Sequence, residues 1–159
     1  MSLLVLLDAG PLGLLTNPHL SEQAELCNRW FESLLWAEVI VALPEIADYE
    51  VRRELIRASK TKGLQRLNEL KETVPYLPIT TEVMLQAATF WAAARQAGKP
   101  TADNKALDAD VILAAQALLA PGLLVPDEQA EDAEVMIATT NIGHLSRFAQ
   151  ALHWQDIEA

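Results

Sequence analysis

The residues best suited to chemistry in this sequence are carboxylates that stand where apolar segments end or begin. The carboxylates form three groups, and an amide stands at a fourth place of the same kind: Asp8 after residues 3–7; Glu45, Asp48 and Glu50 after residues 39–43; Asp103, Asp108 and Asp110 before residues 111–118; and Asn141 after residues 135–139. Converging carboxylates repel one another unless a cation compensates them, and Mg²⁺ and Mn²⁺ prefer oxygen ligands. Such an ion can activate water and hold a phosphodiester, so the pattern indicates metal-dependent phosphate chemistry.

Short apolar strands that alternate with helices would bring these groups together. Residues 3–7, 39–43 and 135–139 are continuously apolar, as expected of parallel strands buried on both faces. Helices are expected over residues 22–36, 44–59, 64–73, 80–97 and 110–119, the last ending before Pro121. Right-handed crossovers place the carboxyl ends of parallel strands at one edge of the sheet, where ligands bind. We therefore predict an α/β fold with a central parallel sheet and helices on both faces.

The length and composition favour one soluble domain. The 159 residues form a single domain, 1–159, long enough to bury a core. No apolar run reaches the roughly 18 residues of a membrane span, and the N-terminus lacks a basic leader. Cys27 is the only cysteine, which excludes an internal disulfide framework. We expect a cytoplasmic protein with no membrane partner.

Several of the acids also have a purely structural interpretation. Asp8 suits a helix cap or a turn, and Asp108 suits the N-cap of the helix that follows it. Glu45 and Asp48 would be stabilised by the positive end of their own helix dipole. The sequence alone leaves both interpretations open for these four residues.

Glu50 and Asp110 differ in how easily a structural role explains them. Glu50 has charged neighbours at helical spacing, including Arg53 and Arg57, and could belong to a surface network. Asp110 heads residues 111–118, which are apolar nearly all round, so that helix should be buried. A carboxylate at the start of a buried helix must be paired, liganded or directed into a cleft, which favours Asp110 as a site residue.

The net charge of −10 argues against a nucleic-acid partner, because phosphate contacts require Lys and Arg. The charges are unevenly distributed, however. Residues 52–71 contain seven of the twelve basic residues and only two acids. Either a solvated helix face or a track for a polynucleotide backbone would explain this segment.

Four segments of the sequence resemble the PIN domain, the nuclease fold of the VapC-type toxins. They are Leu6-Leu7-Asp8, Leu43-Pro44-Glu45-Ile46 leading to Glu50-Val51, the run from Asp110 to Ala117, and Ile137-Ala138-Thr139-Thr140-Asn141 with His144-Leu145 beyond. They occur in the family's order and span nearly the whole chain. The resemblance implies a single PIN-like domain and Mg²⁺- or Mn²⁺-dependent cleavage of RNA.

The resemblance also assigns site residues. The family's first Asp falls on Asp8, its helix Glu on Glu50 and its third acid on Asp110, and these three would be both catalytic and metal-binding. Three further metal ligands are second choices: Glu45 as the rival of Glu50, Asp108 acting through water, and Asn141 at the fourth acidic position, where it would ligate through a neutral oxygen. Ala9 stands where many relatives have Ser or Thr, which removes a hydroxyl that could orient the metal ligands.

Partners follow from the same resemblance. The RNA backbone would be held by Arg52, Arg53, Arg57, Lys60 and Lys62. A toxin of this type would be held inactive by an antitoxin, which would bury an apolar groove between helices, such as one in the segment 26–36. Relatives often dimerise through helices, so a homodimer is possible. His144 is expected to cap or pack rather than act as a base.

Two other functional classes compete with this interpretation. One is a phosphatase with Asp8 as covalent nucleophile, although Gly10 stands where such enzymes carry a second Asp. The other is a PIN-like module that binds nucleic acid or protein with weak or no catalysis, which Ala9, Asn141 and the net charge favour. Metal-dependent RNA cleavage would separate the ribonuclease from the binding module, which would show none.

Overall fold

A five-stranded sheet, parallel throughout, forms the centre of the molecule. The computed structural model describes residues 2–97, 104–143 and 145–159. The strand order is β3-β2-β1-β4-β5. The strands are β1 (Leu3–Leu7), β2 (Ile40–Pro44), β3 (Tyr76–Leu77), β4 (Glu134–Thr139) and β5 (Ala151–His153). This arrangement confirms the predicted α/β fold.

Helices cover both faces of the sheet. They are α1 (Ala9–Thr16), α2 (Glu22–Trp36), α3 (Glu45–Arg57), α4 (Thr61–Thr73), α5 (Thr81–Gln96), α6 (Asn104–Leu124) and α7 (Asp127–Ala130). Side-chain caps fix two of their starts: Ala24 N–H donates to Ser21 Oγ at 3.1 Å, and Val83 N–H donates to Thr80 Oγ1 at 3.2 Å. Each bond satisfies a backbone donor that the first turn would otherwise leave free.

The two faces of β1 supply two separate cores. Val5 and Leu7 pack into a core that contains apolar residues of α1 and α2. Leu4 and Leu6 pack on the opposite face, into a core that contains Leu113 of α6. Because successive side chains of a strand alternate in direction, a strand covered on both faces must be apolar throughout. This explains the unbroken run of residues 3–7.

Helix α1 was not predicted, since its glycines and proline suggested a turn. Pro11 is the third residue of the helix, where its missing N–H would have no partner within the helix in any case. Asp8 provides the N-cap, with its Oδ1 accepting from Ala9 N–H at 2.8 Å. The cap interpretation of Asp8 is therefore correct, and the chain passes from β1 into α1 with no intervening loop.

Helix α6 is longer than the predicted 110–119. It begins at Asn104, so Asp108 lies within the helix and is not its N-cap, and it continues past Pro121 to Leu124. The last turn survives the proline because the Pro121 carbonyl still accepts from Val125 N–H at 3.2 Å. The four-residue helix α7 and the short strand β5 were also not predicted.

The apolar character of α6 has a structural explanation. Contrary to the prediction, the described residues contain one segment, Leu107–Leu124, that is long and apolar enough to cross a membrane by length and composition, with a mean hydropathy of 1.6. In the fold, Leu113 and Ala117 pack against the sheet, while Val111 and Ala115 pack against α5. A core helix covered on two sides has the same composition.

A buried glutamine joins α6 to the sheet. Gln116 Nε2 donates to the carbonyl of Leu77 at 2.7 Å, and Ile46 N–H donates to Gln116 Oε1 at 3.4 Å. These bonds tie α6 to β3 and to the first turn of α3. They therefore fix the relative positions of the helices that carry Glu50 and Asp110.

Candidate active site

The candidate site lies at the point where the strand order of the sheet reverses, between β1 and β4. Strand β1 pairs with β2 along one edge and with β4 along the other. The helices that follow β1 cover one face of the sheet, and helix α6, which precedes β4, covers the opposite face. Open α/β folds bind ligands in the crevice at such a point, outside the carboxyl ends of the strands. Asp8 follows β1 directly, and Asp8 N–H donates to the Ala138 carbonyl of β4 at 2.9 Å.

The Asp8 carboxylate accepts a hydrogen bond on each oxygen. Oδ1 accepts from Ala9 N–H at 2.8 Å, and Oδ2 accepts from the Thr139 hydroxyl at 2.8 Å. Burial raises the pKa of Asp8 above its ordinary value, and these two hydrogen bonds only partly oppose the increase. The fold thus holds Asp8 in a place where its charge is poorly solvated.

Glu50 of α3 and Asp110 of α6 face the same region. Burial raises the pKa of Glu50, and the negative charges of Asp8 and Asp110 raise it further, while Arg53 lowers it. Among the described residues, no hydrogen bond contributes to the pKa of Glu50. The structure therefore brings the three first-choice acids of β1, α3 and α6 within electrostatic reach of one another.

The second-choice acids have other surroundings. Both carboxylate oxygens of Glu45 are engaged, since Tyr76 O–H donates to Oε2 at 3.0 Å and Ile79 N–H donates to Oε1 at 2.7 Å. Asp108 is exposed and lines a groove between α5 and α6 beside Trp91. Neither residue contributes to the raised pKa of Glu50. The geometry thus favours Glu50 over Glu45.

Thr139 is a site residue that the sequence did not reveal. It is only 1% exposed at the end of β4, and its hydroxyl joins Asp8 to the backbone of Asn141. Asn141 itself is exposed beyond the edge of the sheet. A threonine at the end of an apolar strand has no distinguishing feature in the sequence. Only the position of Thr139 beside Asp8 of the neighbouring chain segment shows its connection to the site.

Gly10 allows α1 to approach the segment after β4. A Cβ atom at Gly10 would lie 2.2–2.9 Å from side-chain atoms of Thr140. Real Cβ atoms do not come so close, so only glycine permits this packing. The close approach keeps Asp8, at the start of α1, beside the end of β4.

The donor atoms suit a hard divalent ion, but the described residues form no ready-made ligand set. Asp8, Glu50 and Asp110 offer carboxylate oxygens, and Asn141 offers an amide oxygen. Among residues 2–97, 104–143 and 145–159, however, no three Asp, Glu, His or Cys side chains form a group that could hold a metal ion as they stand. Repulsion between carboxylates acts over longer distances than coordination, which reconciles this result with the raised pKa of Glu50.

Asp103 and His144 lie outside the described residues.

The predicted RNA-binding residues are not equally available. Arg52 is held by Asp48 through two bonds of 2.8 and 3.0 Å, and it donates to Asn68 at 2.8 Å. Arg53 lies over the ring of Tyr49, with 5.0 Å between its guanidinium carbon and the ring centroid. Lys62 is exposed on α4.

Arg57 and Lys60 share a groove with Glu50. The groove has a volume of about 530 Å³ and lies between α1, with residues 17–19 after it, and the second half of α3. Arg57 also donates to exposed Glu54 at 2.9 Å, a surface pair of little energetic weight. Of the five predicted residues, these two are the ones that line the same groove as Glu50.

Comparisons with known proteins support the fold. No family model matches the sequence, and no curated protein matches it. Three solved structures are similar to it: VapBC2 from Rickettsia felis bound to a DNA fragment from their promoter, FitAcB from Neisseria gonorrhoeae, and VapBC-1 from nontypeable Haemophilus influenzae.

The similarity extends over nearly the whole of each chain. For VapBC2 the TM-score is 0.64 at 15% identity, covering 95% of this chain and 98% of that chain. For FitAcB the TM-score is 0.63 and for VapBC-1 it is 0.58, each at 18% identity. Both alignments cover 96% of this chain and 99% of the other chain. Identity this low shows the fold alone. The chain therefore shares the α/β fold of these three structures, which confirms the fold that the resemblance in its sequence predicted.

Proposed function

We propose that this chain is a divalent-metal-dependent endoribonuclease and the toxin of a toxin–antitoxin pair. The observation that carries the proposal is the meeting of Asp8, Glu50 and Asp110 at the switch point of the sheet, where the two aspartates raise the pKa of Glu50. Three acids from three separate elements are costly to hold together unless a cation compensates them. The resemblance to the PIN domain gives such an arrangement its chemistry.

Asp8, Glu50 and Asp110 would hold Mg²⁺ or Mn²⁺ directly or through water, with Asn141 adding a neutral oxygen. When bound, a divalent ion activates water at neutral pH and polarises the scissile phosphate. The residues of the chain would hold the ion and position the substrate beside it. This hydrolysis needs no Ser, Cys or His nucleophile.

The RNA backbone would enter along the groove that Arg57 and Lys60 line. Phosphates held there would reach Glu50 without crossing the acidic remainder of the surface. Because the affinity would depend on only a few ionic contacts, it should fall with rising salt concentration. Arg52 would act mainly by holding Asp48, since its guanidinium is already bonded on both sides.

An antitoxin would find an apolar surface on α2. Leu26, Leu35 and Trp36 are exposed there, and Trp36 is 88% exposed. Contiguous exposed apolar side chains are typical of protein-binding surfaces, and Leu35 and Trp36 are adjacent at the C-terminal end of α2. The proposal is supported by the fold shared with VapBC structures; a homodimer through helices is a further proposal.

A PIN-like binding module without catalysis is the second candidate. It is favoured by the lack, among the described side chains, of a group of three ready to hold a metal ion. Asn141 at the fourth acidic position also lowers the negative charge available for a cation.

One experiment separates the two candidates. Wild-type protein and Asp8→Asn would be incubated with a mixture of structured RNAs in Mn²⁺, in Mg²⁺ and in EDTA. We expect cleavage that requires metal and disappears in Asp8→Asn, with both proteins folded by circular dichroism. No cleavage, together with no rise in Tm on adding metal, would overturn the ribonuclease and favour the binding module.

A further inference from the structure

We propose that Thr139 is a positioning residue of this site, whose single hydroxyl fixes Asp8 and Asn141 relative to each other. The inference rests on the proposed function, because it concerns how two of the candidate ligands are held. Thr139 itself would touch neither metal nor substrate. It would act by restricting the orientation of the groups that do.

The first observation is the set of bonds that the hydroxyl makes. Thr139 Oγ1 donates to Asp8 Oδ2 at 2.8 Å, lies 3.1 Å from the Asn141 carbonyl oxygen and accepts from Asn141 N–H at 3.0 Å. One atom therefore links the end of β1 to the segment that leaves β4. Removing it would free both residues at once.

The second observation is burial. Thr139 is 1% exposed, so water has little access to replace its hydroxyl. Its neighbours on β1 are fixed by the sheet, since Leu7 pairs with Ala138 in register and Asp8 N–H donates to the Ala138 carbonyl at 2.9 Å. The paired backbone of β4 thus fixes the position of the Thr139 hydroxyl, and the hydroxyl in turn restricts the orientation of the Asp8 carboxylate.

The third observation is the residue beside Asp8. Ala9 carries no hydroxyl, and its backbone N–H already donates to Asp8 Oδ1. A donor for the second oxygen therefore has to come from elsewhere, and β4 supplies it. With one donor on each oxygen, the carboxylate plane is fixed, while each oxygen keeps lone-pair capacity for a further partner.

The test compares three variants. Thr139→Val keeps the shape and removes the hydroxyl, Thr139→Ser keeps the hydroxyl, and Thr140→Val makes the same change at the next residue, which is exposed. Mn²⁺ affinity would be measured by calorimetry. Amide exchange at Asn141 would be measured by NMR in EDTA, with circular dichroism as the check on folding.

We expect Thr139→Val to weaken Mn²⁺ binding about tenfold or more, as loss of a residue that orients a ligand does, and to speed exchange of the Asn141 amide. Thr139→Ser should restore both, and Thr140→Val should change neither. A folded Thr139→Val with wild-type affinity and exchange would overturn the inference. The inference would also be overturned if Thr139→Ser bound Mn²⁺ as weakly as Thr139→Val. If Thr139→Val does not fold, the Mn²⁺ affinity and the Asn141 exchange rate of Thr139→Ser decide, and a loss of affinity in that variant would overturn the inference.

Failure of the proposed function would look different. In that case wild-type protein would bind no Mn²⁺, and the exchange of the Asn141 amide in metal-free protein would still show whether Thr139 holds this segment. Faster exchange in Thr139→Val would then support the positioning role. Unchanged exchange would overturn it.

Discussion

Helix α3 has acids on two sides, and their surroundings differ sharply. On the side towards β3, Glu45 accepts from Tyr76 and Ile79, and Asp48 is clamped by Arg52. On the side towards β1, Glu50 faces Asp8 and Asp110, which raise its pKa. The same short helix therefore carries acids bound to donors and an acid placed among other acids.

This difference teaches which acids are structural. A buried or half-buried carboxylate that finds donors is stabilised by them and holds the fold together. A carboxylate that faces others of its own charge opposes folding unless something else compensates it. The side facing Asp8 is thus where the sequence accepts a cost in stability, which is typical of functional sites.

The largest contrast is expected between Asp8→Asn and Asp48→Asn. Asp8→Asn should lower metal-dependent cleavage by at least about a hundredfold, because even a residue that only orients a ligand contributes about 10–100-fold. Its stability in EDTA should not fall, since burial disfavours the charge that it removes. The measurements are cleavage rates and urea unfolding.

Asp48→Asn should show the opposite pattern. It removes the negative charge and one of the two oxygens that accept from Arg52, at a position only 6% exposed, so the free energy of unfolding should fall by about 1–3 kcal/mol. Cleavage by the folded protein should be unchanged. If Asp48→Asn abolished cleavage in folded protein, the division of α3 into two sides would be wrong.

A pair of glycines in α1 provides the next contrast. Gly10→Ala would push a Cβ into Thr140 and should lower the free energy of unfolding by about 1–3 kcal/mol. Gly13 has no atom within 4 Å of such a Cβ, so Gly13→Ala should raise it by about 0.5–1 kcal/mol. Thermal unfolding measures both, and equal effects would contradict the close approach of α1 to β4.

A smaller effect is expected from Tyr76→Phe. The substitution removes the hydroxyl that donates to Glu45 at 3.0 Å and should cost about 0.5–1.5 kcal/mol. Tyr49→Phe is the matched control, because Tyr49 is exposed and a Phe ring still lies under Arg53. Urea midpoints compare the two, and a metal-binding defect in Tyr76→Phe would place Glu45 in the site after all.

The smallest effect is a change in pH dependence. Because the folded protein raises the pKa of Glu50 above its ordinary value of 4.5, the folded state binds more protons than the unfolded state between the two pKa values. The free energy of unfolding in EDTA should therefore fall as pH rises through that interval. Glu50→Gln should reduce this fall and stabilise the protein at neutral pH.

Thermal unfolding in EDTA at several pH values tests this prediction. Glu72→Gln, on the exposed surface of α4, is the control and should keep the wild-type slope. An unchanged slope in Glu50→Gln would show that Glu50 is better solvated than the structure indicates.

The sequence predicted β1, β2, β4 and the long helices α2 to α5 because each shows a clear periodicity or an unbroken apolar run. It missed α1 because Gly10 and Pro11 suggest a turn. The helix accepts Pro11 because it lies in the first turn, and it requires Gly10 because Thr140 packs against that position. It ended α6 too early because a proline usually stops a helix. Local pattern cannot report such contacts.

The candidate site was predictable to a similar degree. Asp8 and Asp110 stand at the boundaries of apolar runs, which pattern can detect. The choice between Glu50 and Glu45 needed the donors at Tyr76 and Ile79, which are distant in sequence. Thr139 could not be identified at all, because its role depends on the pairing of β4 with β1.

That pairing also determines when the site can exist during synthesis. Asp8 and Thr139 meet across 131 residues of chain, so forming this contact carries the loop-closure entropy of a long chain segment. Contacts of such long sequence separation slow folding. A ribosome would have to release β4 before Asp8 gained its partner, so a nascent chain would carry the acids without the site.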